Sequence, residues 1–232
     1  MRLLLCVLLA LAPLGYSVGA HAAVSVGATR LIYDGASSEA NLTVNNRDDS
    51  SPYLVQSWVS RFGSASDESV DSFIVTPPLF RLDANKENIL RVIFAGDADV
   101  PQDRESLYLM NVKAIPAMSD EQRGKNVLQI ALKTTIKLFY RPAGLQGSLK
   151  DAVAQVSWQA SAGSLAVNNA SAYHVVVSEL KLTGQPVTQG PDVLRPGQQL
   201  VLSTPAKAGD EVQLSYIDDY GSTVAAPAVR ID

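Results

Sequence analysis

The stretch from Val127 to Arg141, V-L-Q-I-A-L-K-T-T-I-K-L-F-Y-R, constrains this chain more than any other. Its alternate positions separate into two sets. Leu128, Ile130, Leu132, Thr134, Ile136, Leu138 and Tyr140 form one set; Val127, Gln129, Ala131, Lys133, Thr135, Lys137, Phe139 and Arg141 form the other. A period of two is the signature of a strand. Strands usually run about 3–10 residues, whereas this one is expected to span about fifteen at roughly 3.3 Å each. Part of it should then project past its neighbours. A projecting apolar strand invites unwanted pairing unless a partner is meant to pair with it.

The chain before it reads as short strands separated by turn signals. Val24–Tyr33 is the first, closed by Asp34-Gly35. Ala40–Val44, Tyr53–Ser60, Phe73–Leu82, Asn88–Phe94 and Leu107–Ile115 follow. Pro77 and Pro78 interrupt the fourth, so the chain should bend or switch sheets there. With the long stretch these make seven strands without a helical period, which argues for a β-sandwich. Pro142-Ala143-Gly144 reads as a hinge. Strands are expected again at Val153–Ala160, Leu165–Asn168, His174–Leu182, Gln199–Leu202, Val212–Ile217 and Thr223–Ile231, a second and smaller β domain. Trp58 and Trp158 are expected in the cores.

Residues 1–22 resemble a secretory leader: Arg2, the apolar run Leu3–Leu14 and the small-x-small site Ala20-His21-Ala22. The two domains are then expected at 23–142 and 143–232. The only cysteine, Cys6, falls in the leader, so an exported mature chain would rely on its cores rather than on disulfides. Without Arg2 the balance is 18 basic against 23 acidic residues, a net charge of −5, which offers no bulk attraction to nucleic acid.

Little here suggests catalysis. His174 is the only histidine after the leader, and no nucleophile elbow accompanies it. One histidine without cysteines cannot build a zinc site. Asp97, Asp99 and Asp103 lack the spacing of a calcium loop. Asp218-Asp219 reads as a turn or ion-pair element. Arg30 and Lys137 stand among apolar residues, where a long cation ordinarily reaches out to solvent. No cofactor and no metal are expected. On pattern alone a secreted β-sandwich that binds carbohydrate or a surface polymer is an alternative, though no aromatic platform is evident for it.

Several segments together go further: V-T-P-P-L-F-R-L (Val75–Leu82), P-Q-D-R-E-S-L (Pro101–Leu107), N-V-L-Q-I-A-L (Asn126–Leu132), I-K-L-F-Y-R-P (Ile136–Pro142) and S-Y-I-D-D-Y-G (Ser215–Gly221). This ensemble resembles the periplasmic pilus (fimbrial) chaperones of the chaperone–usher pathway, over nearly all of the mature chain. The resemblance implies two immunoglobulin-like β-sandwich domains in an L or boomerang arrangement, all-β and without enzymatic activity. It implies one-to-one complexes with pilus subunits in the periplasm and their delivery to an outer-membrane usher. It implies roles for residues as well. Leu128, Ile130 and Leu132 would insert into the open groove of a subunit. Arg30 and Lys137 would clamp the subunit's C-terminal carboxylate. Glu105, Arg141 and Asp219 would form a charge network between the domains. The moderate Pro116–Asn126 connection and the missing cysteine pairs match the family's short-loop subclass. A free chaperone is further expected to hide its apolar edge by self-association.

Overall fold

The computed structural model of the protein describes residues 23–118 and 124–231. The expected leader at 1–22 lies outside them, as does part of the Pro116–Asn126 connection.

The first domain contains β1 (Val24–Val26), β2 (Arg30–Asp34), β3 (Ala40–Asn46), β4 (Tyr53–Arg61), β5 (Phe73–Thr76), β6 (Leu79–Leu82), β7 (Glu87–Phe94), β8 (Ser106–Pro116) and β9 (Leu132–Arg141). One sheet runs β1-β3-β7-β5 and the other β2-β9-β8-β4-β6. Alternation along each strand sends one set of side chains into the space between the sheets. Leu42, Val44, Val55, Val59, Leu90, Val92, Met110 and Leu138 are essentially inaccessible there. Tyr33, Phe73, Phe94 and Tyr140 close one end, with Phe94 and Tyr140 stacked at 4.2 Å between ring centres.

Two predicted strands divide because the chain changes sheets within them. Phe73–Leu82 does so at Pro77-Pro78, as expected: β5 pairs with β7, and β6 with β4. Val24–Tyr33 also divides, which was not expected. β1 pairs with β3 up to Val26, and the Gly27 N–H then donates to the Thr43 carbonyl at 2.8 Å. A Cβ on Gly27 would approach the Thr43 side chain to 3.3 Å, so the glycine permits the close crossing. From Arg30 the chain lies parallel to β9 in the other sheet.

The second domain contains α1 (Leu149–Ala154), β10 (Val156–Ser161), β11 (Ser164–Asn169), β12 (Val175–Leu182), β13 (Gln185–Pro186), β14 (Val193–Leu194), β15 (Gln199–Pro205), β16 (Glu211–Ile217), β17 (Thr223–Ala225) and β18 (Val229–Arg230). β10-β11-β15 forms one sheet, and β13-β12-β16-β17 the other, with β14 on β12 and β18 on β16. Its core holds Trp158, Leu165, Val167, Val175, Leu194 and Leu214. Val153, predicted in a strand, lies in α1 instead; the Ser148 Oγ caps that helix by accepting the Asp151 N–H at 3.3 Å. Thr223–Ile231 divides into β17 and β18 around Pro227, which has no N–H to give a ladder. Trp58 is not a core residue. It faces outward from β4, between the inward-facing Ser57 and Val59, and its indole N–H donates to the Asp67 carbonyl at 2.7 Å.

Candidate functional site: an unfinished strand beside a two-cation cleft

The stretch that constrains the sequence divides into two halves. β9 comprises ten residues, Leu132–Arg141, and Val127–Ala131 belong to no strand. The expected strand of about fifteen residues is therefore too long. Pairing with β8 ends at Ala114 opposite Leu132, although β8 itself runs on to Pro116. Gln129 reaches back to donate from its side-chain amide to the Pro116 carbonyl.

From Ile136 onward β9 is covered. Ile136, Leu138 and Tyr140 point into the core of the first domain. On the opposite face Phe139 joins Val176 and Val193 of the second domain in a small apolar cluster. The N-terminal half is bare. Leu128, Ile130 and Leu132 are 88%, 62% and 62% exposed. They share parity with Ile136 and Leu138 in the sequence; Leu132 begins β9, and Leu128 and Ile130 precede it. The backbone edge is open there too: β2 pairs only with Lys137–Arg141, leaving Leu132–Ile136 without a neighbour on that side among the described residues. The sheet change at Gly27 causes this opening.

Arg30 and Lys137 are Cα partners across the parallel β2–β9 register, so their side chains share the outer face. That face turns toward the second domain. Arg30 Nη1 donates to the Ile217 carbonyl at 3.2 Å, and its guanidinium carbon lies 5.8 Å from the centre of the Phe139 ring. Burial lowers the Arg30 pKa, and the charges of Asp219 and Asp218 partly offset that. An arginine stays charged even so. Its Nε is buried without a hydrogen-bond partner, a rare state for a charged donor. Among the described residues Lys137 pairs with no carboxylate. This face thus carries two neighbouring cations, a charge complementary to a carboxylate.

Glu105, Arg141 and Asp219 are brought together. Arg141 Nε donates to Glu105 Oε1 at 2.6 Å, while its two terminal nitrogens meet both Asp219 oxygens at 2.7 and 2.6 Å. Burial alone would lower the Arg141 pKa, but the Asp219 hydrogen bonds and the Glu105 charge outweigh it and raise the pKa above its ordinary value. Glu105 is 3% exposed, and its second oxygen accepts the His174 backbone N–H at 2.8 Å. The guanidinium also lies 5.2 Å from the centre of the Tyr173 ring. Asp218 caps its own turn, accepting from the N–H groups of Tyr220 and Ser222 at 3.0 and 2.8 Å. Three contributors escaped the sequence reading: Phe139 and His174 at the junction, and Gly221 against Thr29. Phe139 had a visible signal, since its parity opposes that of the core.

Comparison with known proteins agrees with this all-β, two-domain fold. Residues 23–146 match the family model described as "Pili and flagellar-assembly chaperone, PapD N-terminal domain". Residues 151–228 match "Pili assembly chaperone PapD, C-terminal domain". The probable fimbrial chaperone LpfB of Escherichia coli O157:H7 is 40% identical over 211 residues, covering 90% of this chain and 89% of that protein. The chaperone protein FimC of Escherichia coli K12 is 41% identical over 203 residues, covering 88% and 82%. Among solved structures, the E. coli chaperone DraB superposes with a TM-score of 0.74 at 33% identity, covering 90% of this chain and 95% of DraB. The Salmonella enterica SafA pilin–SafB chaperone complex gives a TM-score of 0.75 at 30% identity, covering 91% and 97%. With both of its domains matched, the chain belongs to the PapD family of pilus assembly chaperones.

Proposed function

We propose that this protein is a periplasmic chaperone that binds pilus subunits one-to-one, completes their fold with its own strand, and passes them to an outer-membrane usher. The observation that carries this reading is the bare row Leu128, Ile130 and Leu132 beside an open strand edge. Strand addition of this kind is an established mode of recognition, with chaperone–pilin complexes among its examples. A subunit lacking one strand offers unpaired backbone groups and an open core. The open edge of β9 meets the first need, at about 0.5–1.5 kcal/mol net per hydrogen bond. The apolar row meets the second. At about 1.5–3 kcal/mol per large side chain buried, the three residues contribute roughly 5–9 kcal/mol before the entropy of association is subtracted.

Arg30 and Lys137 supply the register. A terminal carboxylate, with an ordinary pKa near 3.5, arrives ionised and finds a guanidinium fork beside an ammonium. Every subunit has such a terminus, so the anchor reads position without reading sequence. The opposite parity of Lys137 and Ile130 is the geometry this division of labour needs: groove insertion on one face, anchoring on the other. Glu105, Arg141 and Asp219 hold the angle of the cleft. We place the domain boundary at Pro142, giving 23–142 and 143–232, and assign residues 1–22 to the export signal. No step requires nucleotide or a catalytic group.

The test is co-expression of a cognate subunit with Arg30→Ala or Lys137→Ala. Both variants should fold, yet leave the subunit open to proteolysis. Undiminished complex formation by both would remove the carboxylate anchor. Osmotic-shock fractionation checks the compartment: the mature chain should leave with the periplasmic fraction.

A further inference from the structure

Several features take no part in the proposed subunit capture: the His174 ring, Arg104, the Asp97–Asp99 loop and the Arg195-Pro196 turn. They meet at one place. A cavity of about 330 Å³ opens at the domain junction, and neither Arg30 nor Lys137 lines it. Arg61, Phe62 and Arg104 come from the first domain, and His174 and Arg195 from the second.

We infer that this cavity is an oxyanion site, taking a small phosphate- or carboxylate-headed solute between the two domains. Arg195 crosses the junction to lie over Phe62, its guanidinium carbon 5.8 Å from the ring centre. A terminal nitrogen stands 3.3 Å from where a Cβ on Gly63 would be, so the fork lies against the Gly63 backbone. Stacking leaves its N–H donors unspent. Arg61, like Arg195, forms no close ion pair among the described residues, although its charge and that of Asp97 attract along the cavity wall.

The acids of the wall are largely committed elsewhere. Asp97 accepts from the Ser72 hydroxyl at 2.6 Å and from the Asp99 N–H at 3.0 Å. Glu105 is held by Arg141 and by the His174 backbone. Arg104 is drawn to Asp103 at 3.0 Å. His174 is 7% exposed, and its Nδ1, 3.4 Å from Glu105, is buried without a hydrogen-bond partner. Buried polar atoms are seldom left so. With Nδ1 turned to Glu105, Nε2 is the ring nitrogen available to a ligand. Asp99, exposed on the rim, repels a second charge and so selects a ligand with a single oxyanion head. The volume falls at the lower end of small-molecule sites, about 300–1,000 Å³.

The experiment is calorimetric titration of the mature chain with inorganic phosphate and, separately, acetate, at constant ionic strength. One of them should bind saturably, one-to-one, and raise the thermal midpoint, because it binds only the folded state. The tighter of the two identifies the head group. Arg61→Gln and Arg195→Gln should each weaken binding at least tenfold, and Lys207→Gln, outside the cavity, should not. Subunit capture should survive both arginine substitutions. Saturable binding of neither anion would overturn the assignment. So would binding that persists in Arg195→Gln and is lost in Arg30→Ala, since the anion would then occupy the cleft instead.

Discussion

Gly221 of the second domain lies against Thr29 of the first, so close that a Cβ on it would fall 2.4 Å from the Thr29 hydroxyl oxygen. The turn Asp218–Gly221 therefore works three ways. Ile217, just before it, receives Arg30; Asp219 receives Arg141; Gly221 lets the backbone meet Thr29. The cleft, the charge network and the domain contact share one short segment.

Gly221→Ala should disturb all three. Its φ of +88° is costly for any residue with a Cβ, and such strain is worth about 1–3 kcal/mol. The collision with Thr29 adds displacement of the second domain. The expected outcome is a lower denaturant midpoint, an altered radius of gyration in solution scattering, and reduced subunit capture. A variant with unchanged scattering and capture would show that the contact does not set the cleft.

The two acids that bind Arg141 should differ in cost. Asp219 keeps 32% of its side chain exposed, whereas Glu105 keeps 1%. Asp219→Asn should cost about 1.5–3 kcal/mol, the range for a hydrogen bond to a charged group. Glu105→Gln leaves the arginine without its buried partner and should cost more, about 3–5 kcal/mol. Urea unfolding of the two variants gives the order directly. A larger loss for Asp219 would contradict the burial argument.

The bare edge should also govern how the free protein behaves. An open strand flanked by Leu128, Ile130 and Leu132 is a template for pairing with a second copy. Light scattering should show concentration-dependent association of the wild type and a monomer for Ile130→Asp. Equal masses for both would mean that this strip takes no part in association.

The strand parities within β9 were legible from the residues. Ile136 and Leu138 are core residues, and Lys137, Phe139 and Arg141 face the other way, as a period of two requires. The start of β9 was not legible, because it depends on where pairing with β8 stops, at Ala114, rather than on the alternation of the strand itself. The break at Gly27 is a close approach to Thr43, invisible in an alternating run. The helix α1 is too short for a helical period to show, although Ser148 and Asp151 carry its start signal. Trp58 was misplaced because an aromatic in a strand satisfies either face. His174 revealed nothing of its surroundings, since Glu105 and Phe139 approach it from the other domain.

The most direct measurement is the yield of one-to-one complex when a cognate subunit is co-expressed with wild-type chaperone or with Ile130→Asp. Ile130 is 62% exposed, so its replacement should leave the free chaperone's unfolding midpoint unchanged. The complex should be recovered with the wild type and absent with the variant, whose carboxylate cannot enter an apolar groove. Equal recovery from both would mean that the exposed strip does not complete the subunit's fold.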